Sequence, residues 1–581
     1  MKRLAGVLAI LAFGLASCTG VPSSSAPQTI EALDTGGASN TPVPPPDLSG
    51  LGARDIVDRF IHATATSTGN PALARAFLTP EAAAQWPGSG PTATTATIIA
   101  NDYTVSTENR NHTVTVSGRV LGTLSADGIY TPSLQGDGQG GAKVPFVFSI
   151  ARFDSQFRIA KPPTGLLLTD DDFRDAYRQQ QVYFYDLTGK TLVPDVRWTS
   201  LVDKQQLAEW LLAEIVNGPR SELQGALSAD TMPAESDPRQ IRVTLGAPTK
   251  IEIPGADLLP SDTRNQLAAQ LSETLLETLA GGDITITDGG RPVRIPIVGG
   301  TVFAASDFAS AIGPRPIVAE VYYLDGSGRI RDDAGKPLTG IDGSLAFSSF
   351  ALGRAAPGEP LLVAGVTGTG SAARLSVGTA GRGGLHPAHL AGPLTRPAFV
   401  PGRSEVWIGS GGRLYRVLAD APAGSRPERV PLPGNGQILA LRFSPEGSRI
   451  AIVIAGGDGR ARLYVGSVVR AAGPPRIDKL QPISPHGVVV KDVAWLDPLK
   501  LFAIGWLAAS QDSRTFETGV DGTDWTNSTT GLPSPPDAVA AATAASVWAS
   551  AGGFVWKQSG TSWVSPGTTG QTPGTAPIYV E

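Results

Sequence analysis

Four aromatic residues recur at near-regular distance in the second half of this chain. Phe347, Phe399, Phe443 and Trp495 lie 52, 44 and 52 residues apart. Each belongs to a stretch of one plan, strand, turn, strand, turn, strand, as in "ILALRFSPEGSRIAIVIAGGDGRARLYVGSVVR", and a fifth stretch, "DAVAAATAASVWASAGGFVWKQSGTSWV", follows. One such unit cannot bury its own two faces, so units must stack. A period of about 40–50 residues with several short strands per unit predicts the blades of a β-propeller. An all-β sandwich also has many short strands, but the repeat spacing favours the propeller. The 69 glycines and 48 prolines supply the turns that such a portion needs. This portion is placed at 313–581. It opens with "AEVYYL" and ends with "APIYVE". Both read as strands, and a ring of blades is stable when its ends are stitched, so one segment is expected to complete a blade begun by the other.

The preceding part reads differently. In "RDIVDRFIHATAT", Ile56, Val57, Phe60 and Ile61 share one helical face. "NPALARAFL" has Asn70 as N-cap and Pro71 at the first helical position. The period then drops to two through Tyr103, Val105, Val114, Val116 and Val120, and "VPFVFSIARFDSQFRIAKPP" adds a strand pair. Helices followed by a curved antiparallel sheet predict an α+β domain over 51–178, cone-like by analogy with the nuclear transport factor 2 superfamily. A second α+β domain is placed at 179–312. Asp203 with Gln206 resembles a capping box, and Leu207, Trp210, Leu211 and Ile215 give a helical face. Leu267, Leu271, Leu275 and Leu279 give another, ended by Gly281 and Gly282. The fold class is therefore multidomain: two α+β domains followed by an all-β propeller-like domain.

The start of the chain says where the protein works. Lys2 and Arg3 precede an uncharged, mostly apolar run, Leu4 to Ser17. Spanning a bilayer takes about 20 apolar residues, so the run matches a signal-peptide h-region instead. It stops at Cys18, the one cysteine of the 581 residues. "LASC" resembles a bacterial lipobox, which implies removal of 1–17 and alkylation of the Cys18 sulfur by a diacylglyceryl group. Each buried methylene contributes ~0.8 kcal/mol, and two or more chains anchor stably where one does not. With a single thiol no disulfide can form within the chain, so the domains depend on core packing. Residues 18–50, rich in Ser, Pro, Gly and Thr, read as a lipidated flexible tether.

A search for catalytic constellations yields none. His62 and His112 have no partner in the sequence and read as surface or edge residues. His386 and His389 in "HPAH" read as a solvated loop, since a metal site needs a further ligand in defined geometry. "TDDDF" at 169–173 reads as the acidic start of a helix. "AGGDGRARL" lacks the Lys-Ser/Thr pair of a phosphate loop and reads as a hairpin turn. The net charge of −5 argues against nucleic acid as a partner. No catalytic, metal or cofactor residue is assigned and no cofactor is implied. Carboxylates paired across a propeller axis remain the alternative, with Asp325, Asp342 and Asp492 near strand ends.

Three stretches resemble known families. "YFYD…LVPDVR…LAEWLLAEIVNGP…KIEI…ITITDGGRPV" is similar to the GerMN domain of sporulation and germination proteins. "FSPEGSRIAIVIAGGDGRARLYVGSV" resembles a TolB-type blade. Lipobox, α+β domain, GerMN-like domain and propeller in this order resemble the LpqB family of actinobacterial lipoproteins across nearly the whole chain. "CTGVPSSSAPQTI", "AEVYYLDGSGRI" and "APIYVE" fit it. That resemblance implies a non-enzymatic protein held through Cys18 on the outer face of the plasma membrane. It implies partnership with the MtrA–MtrB two-component system through the extracellular domain of the sensor kinase, with effects on cell-wall homeostasis and division. The alternative is a cell-wall glycan binder or glycosidase acting through the propeller face.

Overall fold

A computed structural model of the chain describes residues 46–65, 71–86, 95–108, 112–133, 143–309, 320–470, 473–529, 531–567 and 570–581. Cys18, the signal segment, the tether up to residue 45 and Asn70 lie outside the described residues.

The helix Ala53–Thr64 forms where its apolar positions demand. Ile56, Val57, Phe60 and Ile61 are buried, and the Gly52 amide donates to the Asp55 carboxylate at 3.1 Å at its start. Phe60 packs against Trp86 and Phe148, with ring centroids 5.5 and 6.2 Å away. The strands that follow make two four-stranded sheets rather than the single antiparallel sheet expected. One is antiparallel: Thr104–Glu108, Thr113–Gly118, Val144–Phe153 and Gln156–Lys161 in order. The other runs Tyr130–Pro132, Val120–Leu124, Ala96–Ile99, Leu166–Thr169, and its last pair is parallel. The parallel pairing joins strands about seventy residues apart in sequence, beyond what local alternation can indicate.

In the second unit, Asp203 accepts from the Gln206 amide at 2.9 Å and caps the helix Lys204–Asn217. Gly218, at φ +86°, ends it. Strands Arg178–Asp186 and Leu192–Thr199 pair antiparallel over eight residues. Thr249–Glu252 and Ile284–Asp288 pair parallel, with the helix Ser261–Thr274 as the crossover. That helix closes at Thr274, and turns carry the chain on to Gly281, so it is shorter than the leucine spacing predicts.

The remainder is a ring of six sheets. Five are meanders whose innermost strands are Ser349–Gly353, Ala398–Phe399, Gln437–Phe443, Val488–Asp497 and Pro536–Thr543; the first four are four-stranded, and the last gains a fifth strand, Thr572–Pro573, beside Phe554–Ser559. These are blades 1 to 5. The sixth is built from both ends of the portion. Val321–Leu324 pairs with Ile330–Asp332 on one side and with Thr575–Tyr579 on the other, Val321 opposite Tyr579 and Tyr322 opposite Ile578. "AEVYYL" and "APIYVE" thus meet in one blade, as their strand character suggested. Each neighbouring pair of blades shares a buried apolar cluster: Ala351 with Val406, Leu441 with Trp407, Val453 with Val493, Phe502 with Val539, Ala540 with Tyr579, and Ile578 with Phe350. Burial between blades, not within one, is what holds the ring.

The repeat aromatics do not all match. Phe399 and Phe443 end their inner strands and Trp495 lies near the end of its own. Phe347 instead precedes blade 1's inner strand, and its ring covers Gly365 of the next strand. A Cβ at Gly365 would come within 2.2 Å of that ring, so the aromatic at this point needs a glycine beneath it.

The three parts are not beads on a string. The cluster between blades 3 and 4 continues through Val196 and Trp198 into the core around Phe60 and Phe148. The Trp198 ring packs 5.0 Å from Phe173 of the first unit, and its indole N–H donates to Asp521 of blade 4 at 2.8 Å. The Trp198 amide donates to the Gly128 carbonyl at 2.8 Å. Gly128 has φ +76°, and a side chain there would meet the Trp198 backbone at 2.6 Å. Arg449, buried in blade 3, donates to the Pro194 carbonyl and pairs with Glu446 at 3.1 Å.

Candidate functional site

All six blades line one cavity of about 210 Å³ at the ring axis, blade 2 through Pro397, Pro401 and Gly402 beside its inner strand. Its wall is mainly apolar, with Phe443, Trp495, Ala540 and Ile578 among the lining side chains. Behind the wall, one buried carboxylate and two guanidiniums form a group, of which Arg442 alone is among the lining residues. Asp492 is buried on blade 4's inner strand, just where the pairing register shifts. Its Oδ2 accepts from Arg396 at 2.6 Å and from the Val539 amide at 3.0 Å. Arg396, at the entry to blade 2, also donates to the carbonyls of Pro577 and Val539, at 2.9 and 3.0 Å. Arg442 of blade 3 approaches the other Asp492 oxygen at 3.6 Å. This group therefore ties together blades 2 to 6. The Trp495 indole N–H donates to the Arg442 carbonyl at 3.1 Å, which holds the ring at the wall.

At the rim stands Glu581. Its carboxylate accepts from the Phe399 amide, and its carbonyl accepts from the Arg354 amide at 2.9 Å. Burial pushes its pKa up to about 8, against the pull of the Phe399 hydrogen bond and the Arg396 charge. Tyr579 beside it is pushed up to about 12, chiefly by burial. Arg354 donates to Glu320 at 2.9 Å and to the Glu359 carbonyl at 3.1 Å, while its Nε is buried without a hydrogen-bond partner. Pro401, Gly402 and Pro445 line both this cavity and a larger cleft of about 580 Å³. The cleft runs between blades 2 and 3 and the turn at 186–191 of the second unit.

The residues singled out in sequence fall as follows. Asp325 accepts from the Ser327 and Arg329 amides and from Arg331, so it shapes a hairpin turn. Asp342 is exposed and accepts from Ser344. Asp492 lies within a strand rather than at its end, and its oxygens are taken by arginines. None of the three lines the axial cavity, where Glu581 is the one acidic side chain among the described lining residues. His62 is not partnerless: its Nδ1 lies 2.8 Å from Asp172. His112 is exposed at φ +49°. His386 and His389 lie on the outer strand of blade 1, Gly384–Ala391, not in a loop. Asp172 sits in the first turn of the helix Asp170–Ala176, which Thr169 caps. "AGGDGRARL" spans a hairpin turn in which Asp458 accepts from the Arg460 amide at 3.0 Å. Among the described residues no group of three or more His, Cys, Asp or Glu is placed to hold a metal ion.

Sequence reading missed Arg396, Arg442 and Trp198. Each has partners far away in sequence, 96 residues in the case of Arg396 and Asp492, and 323 for Trp198 and Asp521. The one signal present was an arginine or acid inside an otherwise apolar inner strand, as in "ILALRF".

This architecture defines a propeller protein fused to two α+β units, with an apolar pocket at the ring axis and a buried arginine–aspartate group behind its wall. Among known proteins, the N-terminal domain of lipoprotein LpqB matches residues 46–174, and the lipoprotein LpqB beta-propeller domain matches 328–579. Lipoprotein LpqB of Nocardia farcinica is 29% identical over 504 residues, covering 80% of this chain and 79% of that protein. Lipoprotein LpqB of Mycobacterium tuberculosis is 28% identical over 496 residues, covering 78% and 79%. The chain belongs to the LpqB lipoprotein family. TolB from Acinetobacter baumannii, 13% identical with a TM-score of 0.34, covers 46% of this chain and 67% of its own, too loose a superposition to carry an argument. No described helix is long and apolar enough to cross a membrane.

Proposed function

We propose that this lipoprotein is a non-catalytic accessory protein of a two-component sensor kinase of the MtrB type. It is anchored on the outer face of the plasma membrane through lipidated Cys18 and influences cell-wall homeostasis and division. The anchor confines it to the layer where a kinase exposes its extracellular domain, which raises the effective concentration of the pair and lets a weak interface suffice. The contact is assigned to the two α+β units. The observation behind this is the distribution of exposed large apolar side chains. Nine of the twelve among the described residues, from Val147 to Val302, lie in those units, and Leu258 is 87% exposed. Apolar surface left uncovered by the molecule itself is what a protein partner buries. The glycosidase alternative needs two carboxylates about 5–10 Å apart. The axial cavity offers one acidic side chain in its described lining, so that pocket does not favour it.

Because the units share a core with the propeller, they are to be tested in the full chain. A photo-crosslinking residue placed at Leu258 or Val147 should join the lipidated protein to the kinase in cells, with the product identified by mass spectrometry. A residue placed at Leu418 on the propeller should not. Crosslinking only from Leu418 moves the contact to the propeller, and none from any position removes the kinase reading.

A further inference from the structure

The cleft between the second unit and blades 2 and 3 gathers cations on both of its walls. At its floor Glu405 is buried on the second strand of blade 2, Glu405–Ser410. Its carboxylate accepts from Arg470 at 2.9 and 3.1 Å and from the Trp407 indole N–H at 3.3 Å. Arg416 stands 3.7 Å from the same carboxylate, outside hydrogen-bond range, and is steadied by Glu428 at 2.6 Å. Arg403, in the turn before this strand, joins the group. Burial lowers the Arg470 pKa, and the nearby Arg403 and Arg416 charges lower it further, against the pull of Glu405. Three guanidiniums thus crowd one floor carboxylate. Glu446, also in the lining, is taken by Arg449 at 3.1 Å. Across the cleft, Lys190 is presented by the turn at 186–191. That turn is stiff: the Asp186 carboxylate accepts from the Thr188 hydroxyl and from the Lys190 and Thr191 amides, and Gln266 donates to the Gly189 carbonyl at 2.9 Å. The side chains of Arg403 and Lys190 meet no acid or carbonyl among the described residues, and both are open to the cleft, Lys190 exposed and Arg403 partly so. Like charges held together repel, and an anion drawn between them relieves the repulsion. Two unanswered cations, one on each wall, match a group of about two negative charges. A phosphate monoester carries about −1.5 to −2 at neutral pH, a carboxylate only one. The cleft, about 580 Å³, is of the size that takes a small molecule and not an anion alone. Its remaining wall mixes the hydroxyls of Thr191 and Ser448 with Pro401, Pro445 and Pro475, which suits a hydroxylated ring with an apolar face.

We propose that the cleft between the second unit and blades 2 and 3 is a binding site for a sugar phosphate. The phosphate lies between Arg403 and Arg416 on the propeller side and Lys190 on the second unit, and the sugar ring lies against the prolines. Glu405 and Glu428 hold Arg416 in place before the ligand arrives, so little ordering is left for binding to supply. The site does not depend on the kinase reading, because it rests on this cleft alone.

The test is calorimetric titration of the full chain in lipid nanodiscs, with empty nanodiscs as the blank. The probes are glucose 1-phosphate, glucose 6-phosphate, glucose, glucuronate and inorganic phosphate. Binding of either glucose phosphate upholds the site and shows which end of the sugar carries the phosphate. Glucose, glucuronate and inorganic phosphate should bind at least about tenfold more weakly, since each lacks the ring, the phosphate or the second charge. Arg403→Gln and Lys190→Gln should each weaken the sugar phosphate by about fivefold or more. Neither side chain has a partner among the described residues, so both variants should fold as the parent does, with thermal midpoints within about 2 °C of it. No heat from either glucose phosphate up to about 5 mM overturns the proposal. So does binding of any of the other three probes within about tenfold of the better glucose phosphate, or a loss of less than about fivefold in either variant.

Discussion

Deleting residues 576–581 should unfold the propeller at far lower temperature than the loss of six residues from a chain end normally would. The segment supplies most of the innermost strand of blade 6, and Ile578, Tyr579 and Val580 are all buried. Each such side chain contributes about 2 kcal/mol by burial, so about 6 kcal/mol is lost from these three. The backbone loses more: Val580 donates to Glu320, Glu581 donates to Leu352 and Arg354 donates to Glu581. Arg396 loses the Pro577 carbonyl and is left buried with one acceptor fewer. Against a native stability of about 5–15 kcal/mol, this is a large share. At about 2–4 °C per kcal/mol for a domain of this size, the midpoint should fall by roughly 12–24 °C. Differential scanning calorimetry of the full chain and the deletion measures it. Ile578→Ala is the graded control and should cost about 2–5 kcal/mol. A midpoint within about 3 °C of the parent would refute the idea that this strand closes the ring.

Replacing Cys18 with Ala should abolish fatty-acid labelling of the protein in cells, as no other thiol can take its place; persistent label would refute lipidation at this residue. Trp198→Ala should destabilise by about 3–5 kcal/mol through the cavity it leaves. It should also make the first unit cleavable by protease at temperatures where the propeller stays folded, because Trp198 bridges Phe173 and Asp521. A pH effect follows from Glu581. Its folded pKa is raised from 4.5 to about 8, so the folded state holds a proton that the unfolded chain has already released between those values. The benefit of the neutral form is complete below pH 4.5 and is lost as pH rises toward 8. Glu581→Gln should therefore match the parent in thermal midpoint near pH 4.5 and exceed it at pH 8; a constant difference across that range would show that Glu581 is not the group responsible.

Local signals carried much of the fold. Ile56, Val57, Phe60 and Ile61 are buried as their helical spacing requires, and Asp203 caps its helix as its position before Gln206 suggests. These need information from only a turn or two of chain, where side-chain periodicity and capping chemistry operate. The propeller was legible from repeat spacing because each blade presents the same problem of unburied faces. Phe347 shows the limit of that method: it is spaced like the other aromatics but sits before its strand, because a ring over Gly365 can bury itself from outside the ladder.

By itself, the sequence determined the class of each domain, the lipobox pattern at Cys18 and the strand character of both ends of the propeller. Tertiary structure alone decided that those ends share blade 6, that Trp198 joins all three parts, and that Asp492 answers two arginines at the axis rather than serving chemistry at a strand end. The physical reason is distance along the chain. A hydrogen bond or ion pair between residues 96 or 323 positions apart leaves no periodic trace in either segment. An arginine in an apolar strand reads only as an anomaly until closure of the ring places its partner beside it.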